Sequence, residues 1–268
     1  MKGRNKMIGI IGTGNMGKAI IGGITKSGIF SPENIIASDK NQASLDALHN
    51  ELGVSTTPLN AIAAKADVVL LAVKPQFLYD VISEIKDSVS QNTIIISIAA
   101  GQKIEKIEKA FGKEIKLVRV MPNTPALVGE GMSALSPNKN MAKNEITMTE
   151  KIFTALGKVQ TIPENLMDAV TAVSGSAPAY IFMLIEAMAD AAVKAGMPRE
   201  QSYTFAAQAV LGSAKMVLET NKHPAELKDM VCSPGGTTIE AVKVLEDKGF
   251  RAAIMDAMEA CVKKSQSL

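Results

Sequence analysis

The chain has 268 residues, 47% of them apolar, with 29 basic against 27 acidic side chains and a formal charge of +2. That content excludes a disordered chain, and the near balance of charge excludes a nucleic-acid footprint; there is material for one large or two modest domains. Cys232 and Cys261 have neither metal-ligand nor redox spacing, so no metal site is expected and a reducing compartment suits them.

The basic opening, residues 1–6, has the charge of a signal-peptide start. The apolar run behind it stops at Gly12, too short for a leader, so residues 7–11, ending at Ile11, are expected as a buried strand. The strand runs into Gly12-Thr13-Gly14-Asn15-Met16-Gly17, and a helical pattern follows from Lys18 to Ile24. This is G-x-G-x-x-G in its required strand–turn–helix setting, a dinucleotide cradle. Gly12 makes the tight turn, Gly14 admits a pyrophosphate, and Gly17 lets helix and strand pack closely. A second strand, 35–38, ends at Ser38 and Asp39, about 20 residues on, where an acid meets the adenosine ribose.

Strands are expected further at 67–73, 93–98 and 115–120, with helical segments at 41–52 and 77–89 between strands. The alternation predicts an α/β fold, a doubly wound parallel sheet of Rossmann type. Residues 132–135 and 158–162 add edge strands, with a helix over 142–156. The strand ends supply further coenzyme candidates: Ala72 and Val73 before Lys74-Pro75, the small pair Ala99-Ala100, and Asn123. Lys74 sits where an ammonium reaches ribose or phosphate, or is simply solvated; Asn123 faces the nicotinamide or forms an Asx turn before Pro125.

After Pro163 the pattern becomes all-helical, which sets the domains at 1–163 and 164–268. Helices are expected at 179–195, capped by Ser176 and closed by Gly196, and at 199–220, 224–231, 238–247 and 250–264. The first is apolar around most of its girth, apart from Glu186, Asp190 and Lys194; those charges argue against a membrane span. Helices this apolar need a second copy to cover them, so the C-terminal domain is expected to form a dimer or an oligomer of dimers in the cytoplasm.

The segment Cys232-Ser233-Pro234-Gly235-Gly236-Thr237-Thr238 reads as a carboxylate or phosphate seat. Glycines let the backbone approach a ligand, and the helix that follows points free N–H groups at it. Alone, it reads more readily as an ordinary helix cap after a Pro-Gly turn, and the dinucleotide signature at the start of the chain is what favours the anion seat.

Taken together the chain resembles the pyrroline-5-carboxylate reductase family, which makes proline. The marks are Gly12–Gly17, Ala72-Val73-Lys74-Pro75, Ser97-Ile98-Ala99-Ala100-Gly101, Met121-Pro122-Asn123-Thr124-Pro125, Val173-Ser174-Gly175-Ser176-Ala177-Pro178-Ala179-Tyr180 and Lys228 through Thr238. The resemblance implies hydride transfer from NADPH or NADH to the cyclic imine 1-pyrroline-5-carboxylate, giving L-proline. It places Ser233, Gly235, Gly236, Thr237 and Thr238 on the substrate, with Thr238 orienting the ring nitrogen, and Glu164 near the iminium charge, where it either balances that charge or is simply an acid in the first turn of a helix. His49 and His223 read as surface residues. Coenzyme choice stays open, because Asp39 suits NADH while Ser38, Lys40, Asn41 and Asn60 can meet a 2′-phosphate. Two rival readings remain: another dehydrogenase with its acid on the long helix, where Lys194 lies at the far end, and a non-catalytic nucleotide sensor.

Overall fold

The computed structural model describes residues 6–268; residues 1–5 of the basic opening lie outside the described residues. The chain divides into two compact units, Met1–Ser176 with Cys261–Leu268, and Ala177–Ala260.

Among the described residues the first unit is built on eight strands: β1 (Ile8–Ile11), β2 (Ile35–Ser38), β3 (Ser55–Thr57), β4 (Val68–Leu71), β5 (Ile94–Ser97), β6 (Lys116–Met121), β7 (Gly131–Pro137) and β8 (Gly157–Thr161). They lie in the order β3-β2-β1-β4-β5-β6-β7-β8, parallel throughout except for the β6–β7 pair. Its helices are α1 (Asn15–Lys26), α2 (Gln42–Leu52), α3 (Asn60–Ala63), α4 (Leu78–Ile85), α5 (Ile104–Phe111), α6 (Lys143–Thr154) and α7 (Met167–Val170). Both sheet faces are covered, which is why β1, β4 and β5 read as continuous apolar runs. Alternate residues go to opposite sides: Ile10, Leu70 and Ile96 join one core cluster, and Ile11, Leu71 and Ile95 the other. Fully burying such a side chain contributes about 1.5–3 kcal/mol. The strand order reverses at β1, between β2 and β4, so the ligand crevice of this fold class lies beyond their carboxyl ends.

Residues 164–176 belong to this unit, where the sequence placed a boundary at Pro163. The reason is local bonding. Glu164 Oε1 accepts from the Ile104 amide at 2.7 Å and from Arg119 Nη1 at 3.0 Å, and Ser265 Oγ donates to Asp168 Oδ1 at 2.7 Å. The C-terminal residues are anchored here too: Tyr79 donates to Gln102 Oε1, and Gln102 Nε2 donates to the Leu268 carbonyl at 3.2 Å.

A π-helical turn, Thr171–Gly175, follows α7. The next helix, α8 (Ala177–Lys194), carries Pro178 in its first turn. Proline has no N–H, so the Ser174 carbonyl four residues earlier loses its ordinary helical donor.

The second unit comprises most of α8, α9 (Arg199–Thr220), α10 (Pro224–Val231), α11 (Thr237–Asp247) and the bulk of α12 (Phe250–Gln266). Among the described residues only Ala189, Ser202, Ala206 and Leu227 are buried in it. Phe182, Met183, Phe205, Leu218 and Met255 are each more than 60% exposed. The run Glu164–Lys194 is long and apolar enough to cross a bilayer by length and composition, more than its scattered charges suggested in the sequence.

Candidate active site

The turn after β1 is shaped by steric necessity. Gly12 has φ +101°, and a Cβ there would lie 2.5 Å from the Ala72 carbonyl oxygen; at Gly17 a Cβ would meet the Gly12 oxygen at 2.1 Å. Gly14, by contrast, opens onto free space and caps α1 without any side-chain bond. The first helical bond runs from Lys18 N to Gly14 O at 2.9 Å, leaving the amides of Asn15, Met16 and Gly17 without helical acceptors. No acidic residue sits in this first turn. An open cradle of free N–H groups at the positive end of a helix fits a dinucleotide pyrophosphate.

Thr13 holds the cradle in register. Its amide and hydroxyl donate to Asp39 Oδ2 at 2.7 and 2.9 Å, and its Oγ1 lies 2.9 Å from Ser44 Oγ. The other oxygen, Asp39 Oδ1, accepts from the Asn41 amide at 2.9 Å. Burial pushes the Asp39 carboxyl up, but the bonds from Thr13, Asn41 and Lys40 outweigh it and hold the group below the ordinary aspartate value. Beside it, buried Ser38 donates to Asn60 Oδ1 at 2.8 Å, and Asn60 Nδ2 donates to Glu84 Oε2 at 2.6 Å. Glu84, on α4, carried no sequence signal.

Ile11 ends β1, and Ala72 N donates back to its carbonyl at 2.8 Å. Val73 is half-buried, Lys74 exposed, and Pro75 opens a short 3-10 turn that ends the β4 path. Ala99 is buried and Ala100 half-buried after β5. These residues cluster around the carboxyl ends of the central strands, with the glycine turn.

Asn123 lies on the same side of the sheet, and both ends of its amide are engaged. Oδ1 accepts from the Met132 amide at 2.8 Å, and Nδ2 donates to the Ser174 carbonyl at 3.1 Å, the acceptor that Pro178 leaves without a donor. The side chain therefore ties β7 to the π turn, a role different from the nicotinamide contact or Asx turn expected from the sequence. Asn123→Ala is expected to cost about 1–3 kcal/mol, because two half-buried backbone groups lose their partner. Denaturant midpoints for the variant check this, and a loss below about 0.5 kcal/mol would remove the tether. Glu164 is likewise held by Arg119 and the first amide of α5, so it acts there as a helix cap and a buried-arginine partner.

In the second unit, Ser233-Pro234-Gly235-Gly236 forms a tight turn closed by Gly236 N donating to Ser233 O at 3.0 Å. Proline at its second position and Gly235 at φ +67° are the residues a type II turn requires. Gly236 caps α11 with no side-chain bond, leaving the amides of Thr237, Thr238 and Ile239 at the helix start. The hydroxyls of Ser233, Thr237 and Thr238 have no hydrogen-bond partner among the described residues. Such a start suits a carboxylate, with three hydroxyls to add. His49 and His223 are exposed; His223 Nδ1 accepts from the Ala225 amide and caps α10. No cluster of metal-ligating side chains occurs among the described residues.

Two family models match the chain. One is described as pyrroline-5-carboxylate reductase dimerisation and covers residues 164–268; the other, NADP oxidoreductase coenzyme F420-dependent, covers residues 7–101. Pyrroline-5-carboxylate reductase of Escherichia coli (strain K12) is 50% identical over 98% of both chains. The enzyme of that name from Methanosarcina acetivorans is 47% identical, also over 98% of each. The solved structure of Plasmodium falciparum pyrroline carboxylate reductase with NADP bound superposes at a TM-score of 0.91, with 36% identity over 98% of each chain. Likeness of this degree along the whole length leaves one conclusion: the chain belongs to the pyrroline-5-carboxylate reductase family of oxidoreductases.

Proposed function

We propose that this chain reduces 1-pyrroline-5-carboxylate to L-proline with NADPH or NADH, the last step of proline biosynthesis, as a self-associated cytoplasmic enzyme. One observation carries the reading: in a chain matching reductases of that name from end to end, a glycine turn delivers an uncapped helix start flanked by free hydroxyls. The Gly12–Gly17 turn would hold the coenzyme's pyrophosphate, and the reduced nicotinamide of a bound coenzyme would supply the hydride to the imine carbon. The residues of the chain do the rest. The amides of Thr237, Thr238 and Ile239 bind the ring carboxylate, and Ser233 adds a donor. The Thr238 hydroxyl orients the ring nitrogen. A hydroxyl is far too weak an acid to protonate that nitrogen at neutral pH, so the substrate binds already as the iminium ion.

Glu164 remains close to this chemistry by family position, but Arg119 neutralises it; its part is to hold the β5–α5 turn rather than to balance the iminium charge. Self-association follows from the apolar surface of α8 and α9. The match to a dimerisation model over 164–268 supports a second copy, not a bilayer, as its cover.

The test is direct. Purified protein, given the cyclic imine and reduced nicotinamide, should lose reduced-coenzyme absorbance in step with proline formed. No turnover with either coenzyme would sink the assignment.

A further inference from the structure

We propose that Asp39 and Glu84 together set the coenzyme preference of this chain toward NADH, with Glu84 a specificity-determining residue that lies outside the glycine motif. The inference rests on the dinucleotide reading above. Three groups near the end of β2 are of the kind that meets a 2′-phosphate: the Ser38 hydroxyl and the Asn60 amide, both buried, and the exposed Lys40 ammonium. Each is tied, directly or through one neighbour, to Glu84. Ser38 Oγ donates to Asn60 Oδ1, and Asn60 Nδ2 donates to Glu84 Oε2 at 2.6 Å. Lys40 Nζ stands 3.9 Å from Glu84 Oε1, with its side chain 85% exposed.

The second carboxylate is fixed by backbone and side-chain donors. Thr13 N, Thr13 Oγ1 and Asn41 N hold Asp39 at the mouth of the glycine turn. Lys40 is thus met by Glu84, while Asp39 is held by other donors, and no arginine enters this network among the described residues. A ribose hydroxyl has a proton to donate to Asp39. A phosphate offers none at neutral pH and adds a charge of about −1.5 to −2, which both carboxylates repel. At the effective dielectric of a protein surface, such repulsion amounts to about tenfold in affinity.

Calorimetric titration of the full chain with NADH and with NADPH tests this without any turnover. The wild type should bind NADH about tenfold or more tightly than NADPH. Glu84→Gln and Asp39→Asn should each narrow that ratio by about threefold to tenfold, chiefly by strengthening NADPH. Added salt should narrow it too, because the repulsion is screened. Generic damage would weaken both coenzymes and leave the ratio alone. Equal or tighter NADPH binding in the wild type, or an unchanged ratio in Glu84→Gln, overturns the proposal. Binding of neither coenzyme would overturn it along with the dinucleotide reading. Selective NADH binding without imine reduction would fault the reductase assignment alone.

Discussion

Gly12→Ala is expected to weaken binding of either reduced coenzyme by more than about 100-fold and to destabilise the first unit by about 2–4 kcal/mol. The backbone at Gly12 has φ +101°, and the new Cβ would sit 2.5 Å from the Ala72 carbonyl oxygen. That oxygen belongs to the chain leaving β4, which is hydrogen-bonded to Ile11 and cannot swing aside like a flexible side chain. The turn must therefore shift, carrying the α1 amides with it. Gly14→Ala is the informative contrast. Its φ is −68° and nothing lies within 4 Å of the added carbon, so the fold should tolerate it while the methyl stands in the cradle. Weak coenzyme binding with wild-type stability in Gly14→Ala, against loss of both in Gly12→Ala, is the expected pattern by calorimetry and denaturant unfolding. Coenzyme binding within about threefold of wild type in Gly12→Ala would mean the turn does not hold the pyrophosphate.

Thr238→Ala is expected to lower kcat/KM by about 100-fold, the scale on which one hydrogen-bond donor at a reacting group counts. The helix should survive the change. Thr238 lies in the first turn of α11, its hydroxyl has no partner among the described residues, and the helix cap is Gly236. Thr238→Ser, which keeps the hydroxyl, should restore most of the rate. The pH–rate profile of the alanine variant should keep its wild-type shape, since the proton on nitrogen comes with the substrate. A shifted profile would make Thr238 part of the proton path, and wild-type kinetics would remove it from the reaction.

Much of the fold was legible because burial and punctuation spoke together. Strands β1, β4 and β5 are covered on both faces, so their sequences are nearly uninterrupted isoleucine, valine and leucine. Helices α9 and α10 emerged with their observed bounds, because a proline opens each, Asn221 in the left-handed conformation closes the first, and the Ser233-Pro234-Gly235 turn follows the second. Strand β3 has three residues and no apolar alternation, and α5 buries only Ile107 and Phe111, so neither stood out. The glycine turns were readable because their steric demands are local. The links from Asn60 to Glu84, Arg119 to Glu164, and Asn123 to Ser174 were not, since each joins residues distant in the chain. Those links change how Glu164, placed by the family resemblance, and Asn123, placed by its position after a strand, are understood: both side chains already engage neighbours.

The scarcity of interior in the second unit has a thermodynamic corollary. Four sheltered side chains cannot offset the conformational entropy of ordering five helices. If the chain self-associates as proposed, its folding is coupled to protein concentration by mass action. Melting temperature should climb as the sample is concentrated, and at high dilution the helices should lose order before the sheet does.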